Sequence, residues 1–130
     1  MFVQDQKFET TDFMLKTQAV VESARELKAE NILALDMRKI SSFADSCVIT
    51  SGRSNRHVRS IATAIIKSVE QQGERPIGVE GLDEGHWVLI DANDVIIHVF
   101  SSDSREDFSL ERLWSDAPII ELAPSEAVPD

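Results

Sequence analysis

Two apolar segments joined by a short polar turn constrain the fold of this chain more than any other feature. Residues 87–90 and 95–100 are apolar at nearly every position, and residues 91–94 between them are turn formers. This pattern predicts a β-hairpin. A strand that is apolar on both sides must be covered on both sides. We therefore expect helices, or a partner, on each face of the sheet that contains the hairpin.

A helix before the hairpin gives the strongest periodic signal. Its apolar positions follow the spacing of one wide helical face, and they are Val58, Ile61, Ala62, Ile65, Ile66 and Val69. Ser54 or Asn55 can cap its start, and Gly73 can end it. We expect one face of this helix to be buried against the sheet.

The other segments complete an alternating order of elements. Residues 10–12 offer N-caps for a first helix that should end near Asn31, and a short helix is expected over 109–114. Strands are expected over 32–36, 47–50 and 76–79. The order α-β-β-α-β-β-β-α predicts an α/β (α+β) fold with a mixed sheet of about five strands flanked by helices.

Length and composition fit one domain of 130 residues. We expect an N-terminal extension over 1–12, a domain over 13–121 and a flexible tail over 122–130. The single cysteine excludes an internal disulfide and a zinc site with two thiolates. No apolar run reaches the roughly 20 residues that cross a bilayer, and no secretory signal is visible. We therefore predict a cytoplasmic protein that does not bind membranes.

Charge is divided unevenly along the chain, whose net charge is −10. Residues 1–79 hold 11 basic and 10 acidic residues, whereas residues 80–130 hold 2 basic and 13 acidic residues. Neutralisation of phosphates supplies most of the affinity of nucleic-acid-binding proteins. The acidic part thus argues against direct RNA binding and favours a basic partner, although acidic surface can also serve solubility alone.

Catalytic and metal-binding patterns are weak in this sequence. The three histidines are too far apart to share a helical turn, and His98 is best explained as a hydrogen-bonded strand residue. Cys47 fits a buried strand better than a nucleophile. Residues 51–54 precede a helix and lie near three arginines, but they lack the glycine spacing of a phosphate-binding loop. We expect no metal, no cofactor and no enzyme activity.

Aromatic side chains concentrate in the acidic part of the chain. They are Trp87, Phe100, Phe108 and Trp114. Buried aromatics rimmed by charge are typical interface anchors, and they equally well complete the core of a small domain. Trp87 is the strongest candidate for an anchor.

Several ordered blocks resemble the ribosomal silencing factor family, also called Iojap. They cover residues 34–38, 44–45, 48–54, 79–81, 85–91 and 94–100, and the clearest block covers 105–118. The resemblance extends over about residues 14–120. Ser46 and Cys47 stand where the family usually has bulky aromatics, and Phe108 where it has tyrosine. The first departure suggests altered core packing, and the second removes a hydroxyl.

The resemblance implies a fold related to nucleotidyltransferases but without their active site. It implies binding to the fourteenth protein of the large ribosomal subunit, little direct contact with ribosomal RNA, and a block of subunit joining that lowers translation when nutrients are scarce. It also implies a homodimer when free. Assembly of the large subunit at the same site is an alternative, and an active nucleotidyltransferase is another.

The residues expected to bind the partner combine the acidic part with the family blocks. They are Trp87, Asp91, Asp94, His98, Phe100, Arg105, Glu106, Phe108 and Glu111. Rim charges set association rate more than dissociation. Reversing Asp94 and Glu106 to lysine is therefore expected to slow association and to leave the thermal melt nearly unchanged, because both residues are expected at the surface.

Overall fold

The computed structural model describes residues 2–108 and 115–122, and it describes side chains from residue 13 to 105 and from 115 to 122. The elements follow the predicted order. They are α1 (Phe2–Glu26), β1 (Glu30–Asp36), β2 (Ser46–Gly52), α2 (Asn55–Gln71), β3 (Gly78–Glu80), β4 (Trp87–Asp91), β5 (Val95–Ser101) and α3 (Ser102–Phe108). None of the helices in residues 2–108 and 115–122 combines the length and the hydropathy of a membrane-spanning segment.

The five strands form one mixed sheet in the order β1-β2-β5-β4-β3. β2 and β5 pair in parallel at its centre, and the other three pairs are antiparallel. The hairpin predicted over 87–100 is formed by β4 and β5 around Ala92–Asp94. These features confirm the predicted α/β (α+β) fold with a mixed sheet flanked by helices.

The two faces of the sheet pack against different parts of the chain. The inner face packs against α1 and α2, and its fully buried members include Val48, Val88 and Ile97. The outer face carries the alternate residues, among them Cys47, Ile49 and Phe100, which cluster with Ala117. Residues 118–120 run along the free edge of β1, where the Asp36 amide donates to the Pro118 carbonyl and the Ile120 amide donates to the Ala34 carbonyl.

The helix ends differ from the prediction at three places. α1 ends at Glu26 and not near Asn31, and Lys28, two residues beyond it, adopts a φ of +61° that ends the helical path. α1 begins at Phe2 and not after residues 10–12, because threonine and aspartate inside a helix cost only tenths of a kcal/mol and do not force a cap. α3 begins at Ser102, directly after β5, because the Ser101 hydroxyl accepts a hydrogen bond from the Ser104 amide at 3.2 Å. The helix expected over 109–114 lies outside the described residues.

α2 follows the prediction closely. Ser54 is its N-cap, and the Ser54 hydroxyl accepts a hydrogen bond from the His57 amide at 3.1 Å. Val58, Ile61, Ala62, Ile65 and Val69 are all buried. Gly73 adopts a φ of +86° just after the helix, a conformation that glycine takes without steric cost.

Replacing Ile65 by alanine should lower the free energy of unfolding by about 2–5 kcal/mol, because its fully buried side chain would leave a cavity between α2 and the sheet. Chemical denaturation measures the change. Thr63→Ala, at an exposed position of the same helix, should change stability by less than about 0.5 kcal/mol. Equal effects from both variants would contradict the packing described for α2.

Candidate partner-binding face

A row of half-buried apolar side chains on the outer face forms the candidate site. Trp87, Leu89 and Asp91 alternate along β4 and share this face. The strand register places Glu80 opposite Leu89 and Ile96 opposite Asp91. We call these five residues the β4 strip. Glu80 is exposed and the other four are half-buried, so the strip offers apolar contact beside two carboxylates.

Trp87 is held in place by two buried aromatic rings on β5. Its indole Nε1 donates a hydrogen bond to Nδ1 of His98 at 3.0 Å. Its ring stacks on Phe100 with 5.2 Å between centroids, and the His98 ring stacks on Phe100 at 6.0 Å. Phe100 is fully buried and His98 is 6% exposed. These two residues can therefore act on a partner only by positioning Trp87.

Burial fixes the protonation state of His98. Desolvation lowers the pKa of its imidazole to about 4, so the ring is neutral near pH 7. An indole N–H can only donate, so Nδ1 of His98 must be the unprotonated nitrogen. The prediction of a hydrogen-bonded strand histidine is confirmed.

Asp94 lies apart from the β4 strip. Its carboxylate bonds Nζ of Lys16 at 2.5 Å, and the same ammonium contacts Glu74 at 2.5 Å and the carbonyl of Ala92 at 3.0 Å. Lys16 is only 3% exposed. Burial alone lowers the pKa of Lys16, and the hydrogen bonds with Asp94 and Glu74 more than offset it, so the pKa lies above its usual value. The Asp94 side chain is 30% exposed and neutralises this buried cation, so reversing its charge should lower the melting temperature, contrary to the expectation of a nearly unchanged melt.

The remaining predicted residues divide into two groups. Arg105 lies at the carboxyl end of β2, where its guanidinium donates to the Ser51 hydroxyl at 2.9 Å and to the Asn31 carbonyl at 2.5 Å. The side chains of Glu106 and Phe108 lie outside the described part of the structure, as do Glu111 and Trp114 as whole residues. The structure therefore brings together Trp87, Asp91, His98 and Phe100.

The carboxyl ends of the parallel strands β2 and β5 are where an open α/β sheet usually binds its ligand. Gly52 lies there, and a Cβ on it would come within 2.9 Å of the Val58 amide, so α2 packs tightly against this turn. His57 is occupied by structural bonds, since Nδ1 accepts from the Arg53 amide at 2.9 Å and Nε2 lies 2.7 Å from the Leu27 carbonyl. Among the described residues no group of three acids, histidines or cysteines could hold a metal.

Cys47 is a core residue, as the sequence indicated. It is 2% exposed on the outer face, and burial raises the pKa of its thiol to about 12. A thiol in that state is a poor nucleophile at neutral pH.

Sequence reasoning missed three members of the site and one structural residue. Leu89, Ile96 and Glu80 join Trp87 and Asp91 only through the strand register. Alternation along the predicted strand could have separated Leu89 from its buried neighbours. No local sequence pattern indicated the role of Lys16, because the two acids that it pairs with are 58 and 78 residues away in the chain.

Comparisons with known proteins identify close similarities over most of the chain. The family model described as "Ribosomal silencing factor during starvation" matches residues 10–130. The ribosomal silencing factor of Bacillus subtilis is 45% identical over 95 residues, which cover 73% of this chain and 80% of that protein. A solved structure from Chromobacterium violaceum superposes with a TM-score of 0.78 at 30% identity, covering 90% of this chain and 93% of that one.

A more distant similarity bears on the choice between functions. The Mus musculus protein named "Mitochondrial assembly of ribosomal large subunit protein 1" is 26% identical over 99 residues, which cover 74% of this chain and 43% of that protein.

Asp94→Asn should lower the free energy of unfolding by about 1–3 kcal/mol, because it removes a charge that compensates buried Lys16. Thermal and urea melts measure the loss. Glu84→Gln, which neutralises an exposed carboxylate, should stay within about 0.5 kcal/mol of the wild type. If the two variants melted alike, Asp94 would not stabilise Lys16.

Stability should depend on pH through His98. Between pH 6.5 and 4 the unfolded chain binds a proton at this imidazole that the folded protein excludes, so the free energy of unfolding falls as pH is lowered. Protonation of His98 in the unfolded chain should lower the free energy of unfolding by about 2 kcal/mol between pH 7 and pH 5. A His98→Gln variant should lose correspondingly less over that range in urea titrations. Identical pH slopes for variant and wild type would rule out a neutral buried imidazole.

Proposed function

Because the chain belongs to the ribosomal silencing factor family, we propose that it binds the fourteenth protein of the large ribosomal subunit and prevents the small subunit from joining. The proposed result is lower translation when nutrients are limiting. The proposal places the protein in the cytoplasm and assigns it no catalytic role. The carrying observation is the β4 strip, where apolar side chains lie beside two carboxylates on a sheet face that α1 and α2 leave open.

The chemistry of the strip suits a basic protein partner. Leu89 and Ile96 offer apolar surface, and Glu80 and Asp91 flank them with negative charge. Proteins that bind ribosomal RNA carry many lysines and arginines, because they neutralise phosphates. Complementary charge would speed their encounter with this face, and the apolar contacts would slow dissociation.

Trp87 is the residue best suited to anchor such an interface. Its ring is half-buried, and its hydrogen bond to His98 and its stacking on Phe100 fix its orientation before binding. A side chain that is already ordered loses little conformational entropy when a partner packs against it. The proposed block is steric, since a rigid domain that occupies the joining surface needs no conformational change to exclude the other subunit.

Assembly of the large subunit is the second candidate, favoured by the name of the mitochondrial relative. It would use the same docking surface. The two functions differ in the particle that is bound: an assembly factor acts on precursors, whereas a silencing factor acts on mature subunits. An active nucleotidyltransferase is a weaker alternative, because that fold needs paired acids after its Gly-Ser turn, and here no acid follows Gly52 before Glu70.

Sedimentation of mature ribosomal subunits tests the proposal. Added wild-type protein should co-sediment with large subunits and should increase separate subunits at the expense of coupled ribosomes. Leu89→Asp should weaken co-sedimentation at least tenfold, because it buries a charge against the partner. Leu15→Asp is the matched control, since Leu15 is 54% exposed on α1, and it should bind as the wild type does.

Three results would count against the proposal. Unchanged coupled ribosomes at saturating wild-type protein would reject the joining block. Binding to precursor particles alone would favour the assembly role. Equal binding by Leu89→Asp and Leu15→Asp, with both melts near the wild type, would show that the β4 strip is not the docking surface. Leu89→Ala serves if the aspartate variant fails to fold.

A further inference from the structure

The side of α2 that faces away from the sheet carries a row of exposed residues. Arg56, Ser60, Thr63 and Lys67 are all exposed, and their spacing of four, three and four places them along one line of the helix. We call this row the α2 stripe. At 1.5 Å per residue it extends over about 16 Å.

The stripe forms one wall of an open groove. Arg59 and Ala64 lie in the same wall, and Leu82 and Asp83 form the opposite side. Nη1 of Arg59 lies 3.4 Å from the backbone carbonyl of Asp83, which holds this guanidinium at the groove. The lining therefore combines three cations and two hydroxyls with a single carboxylate.

The basic character of the stripe contrasts with the rest of the protein. The chain has a net charge of −10, yet no acidic residue occurs from Ser46 to Val69. In the part of the chain that the structure describes, no carboxylate forms an ion pair with Arg56, Arg59 or Lys67. α2 carries one acid, exposed Glu70, which lies one turn after Lys67, and no acid lies three or four residues from Arg56 or Arg59.

The charges on α2 are also placed against the helix dipole. The first turn of a helix favours acidic side chains and the last turn favours basic ones. In α2 the first turn contains no acid and includes Arg56, while the last turn contains no base. This arrangement costs helix stability. Violations of a local rule without a structural benefit concentrate at functional surfaces.

We propose that the α2 stripe binds the phosphate backbone of ribosomal RNA next to the docking protein. This inference rests on the proposed function and adds a second contact to it. An arginine guanidinium can donate two parallel hydrogen bonds to the oxygens of one phosphate, and serine and threonine hydroxyls can also donate to phosphate oxygens. The family resemblance implies little direct contact with ribosomal RNA, and this inference departs from that expectation. The acidic balance that argues against RNA binding belongs to residues 80–130, and from that segment the groove is lined by Leu82 and Asp83, so one carboxylate faces three cations.

The position of the stripe allows both contacts at once. α2 packs on the inner face of the sheet, and the β4 strip lies on the outer face. One copy of the protein can therefore contact a basic protein with the strip and RNA with the stripe. The competing occupant is an acidic surface of a second copy of this chain, and the experiment separates the two.

The test is the salt dependence of binding to purified large subunits. Each phosphate contact adds about one unit to the slope of log K against log salt. Arg56→Gln combined with Lys67→Gln should therefore make the slope shallower by about two units and weaken binding at low salt. Lys39→Gln, which removes one exposed cation near β1, is the control. It should change the slope by less than about half a unit from the wild-type value.

Several readouts decide the inference. The double variant should melt at or above the wild-type temperature, because removing Arg56 relieves the unfavourable dipole interaction. If the wild type binds large subunits and the double variant shows the same salt slope, the inference is overturned and the proposed function still stands. Loss of self-association by the double variant, with an unchanged slope, would assign the stripe to a second copy. Absence of wild-type binding to large subunits would overturn both proposals.

Discussion

The parallel pairing of β2 with β5 at the centre of the sheet determines how the rest of the chain is arranged. Every residue of β2 is buried, so this pair must be covered on both faces. A parallel pair cannot be joined by a tight turn. The intervening chain first crosses the inner face as α2 and then returns as β3 and β4 at the far edge. The crossover therefore leaves the outer face of β4 without a helix from this segment.

Buried polar contacts fix α1 onto this sheet. The Thr17 hydroxyl lies 2.7 Å from the Ser46 hydroxyl, and it also donates to the Phe13 carbonyl at 2.8 Å. Ser46 is fully buried at the start of β2, so this hydrogen bond joins α1 directly to the sheet. Lys16 joins the same helix to the β4–β5 turn and to the segment after α2.

Local signals in the sequence were sufficient for most of the fold. The apolar face of α2, its Ser54 cap and the turn residues of the hairpin act over a few positions, and each was predicted. The ends of α1 and α3 were not predicted. Capping preferences at the start of α1 are weak compared with packing, and the cap of α3 is Ser101, which is also the last residue of β5. The pairing of Asp94 with Lys16 and the position of Glu80 opposite Leu89 depend on contacts that only the folded chain creates.

In the proposed arrangement, the outer face of the sheet contacts a basic protein and α2 contacts RNA. The most direct measurement uses a cysteine introduced at position 89. Cys47 is buried with a raised thiol pKa, so a maleimide dye should attach only at the new site. The dye at Leu89→Cys should abolish binding to the isolated fourteenth protein of the large subunit, and the dye at Leu15→Cys should not. Equal affinity of the two labelled proteins would contradict docking through the β4 strip.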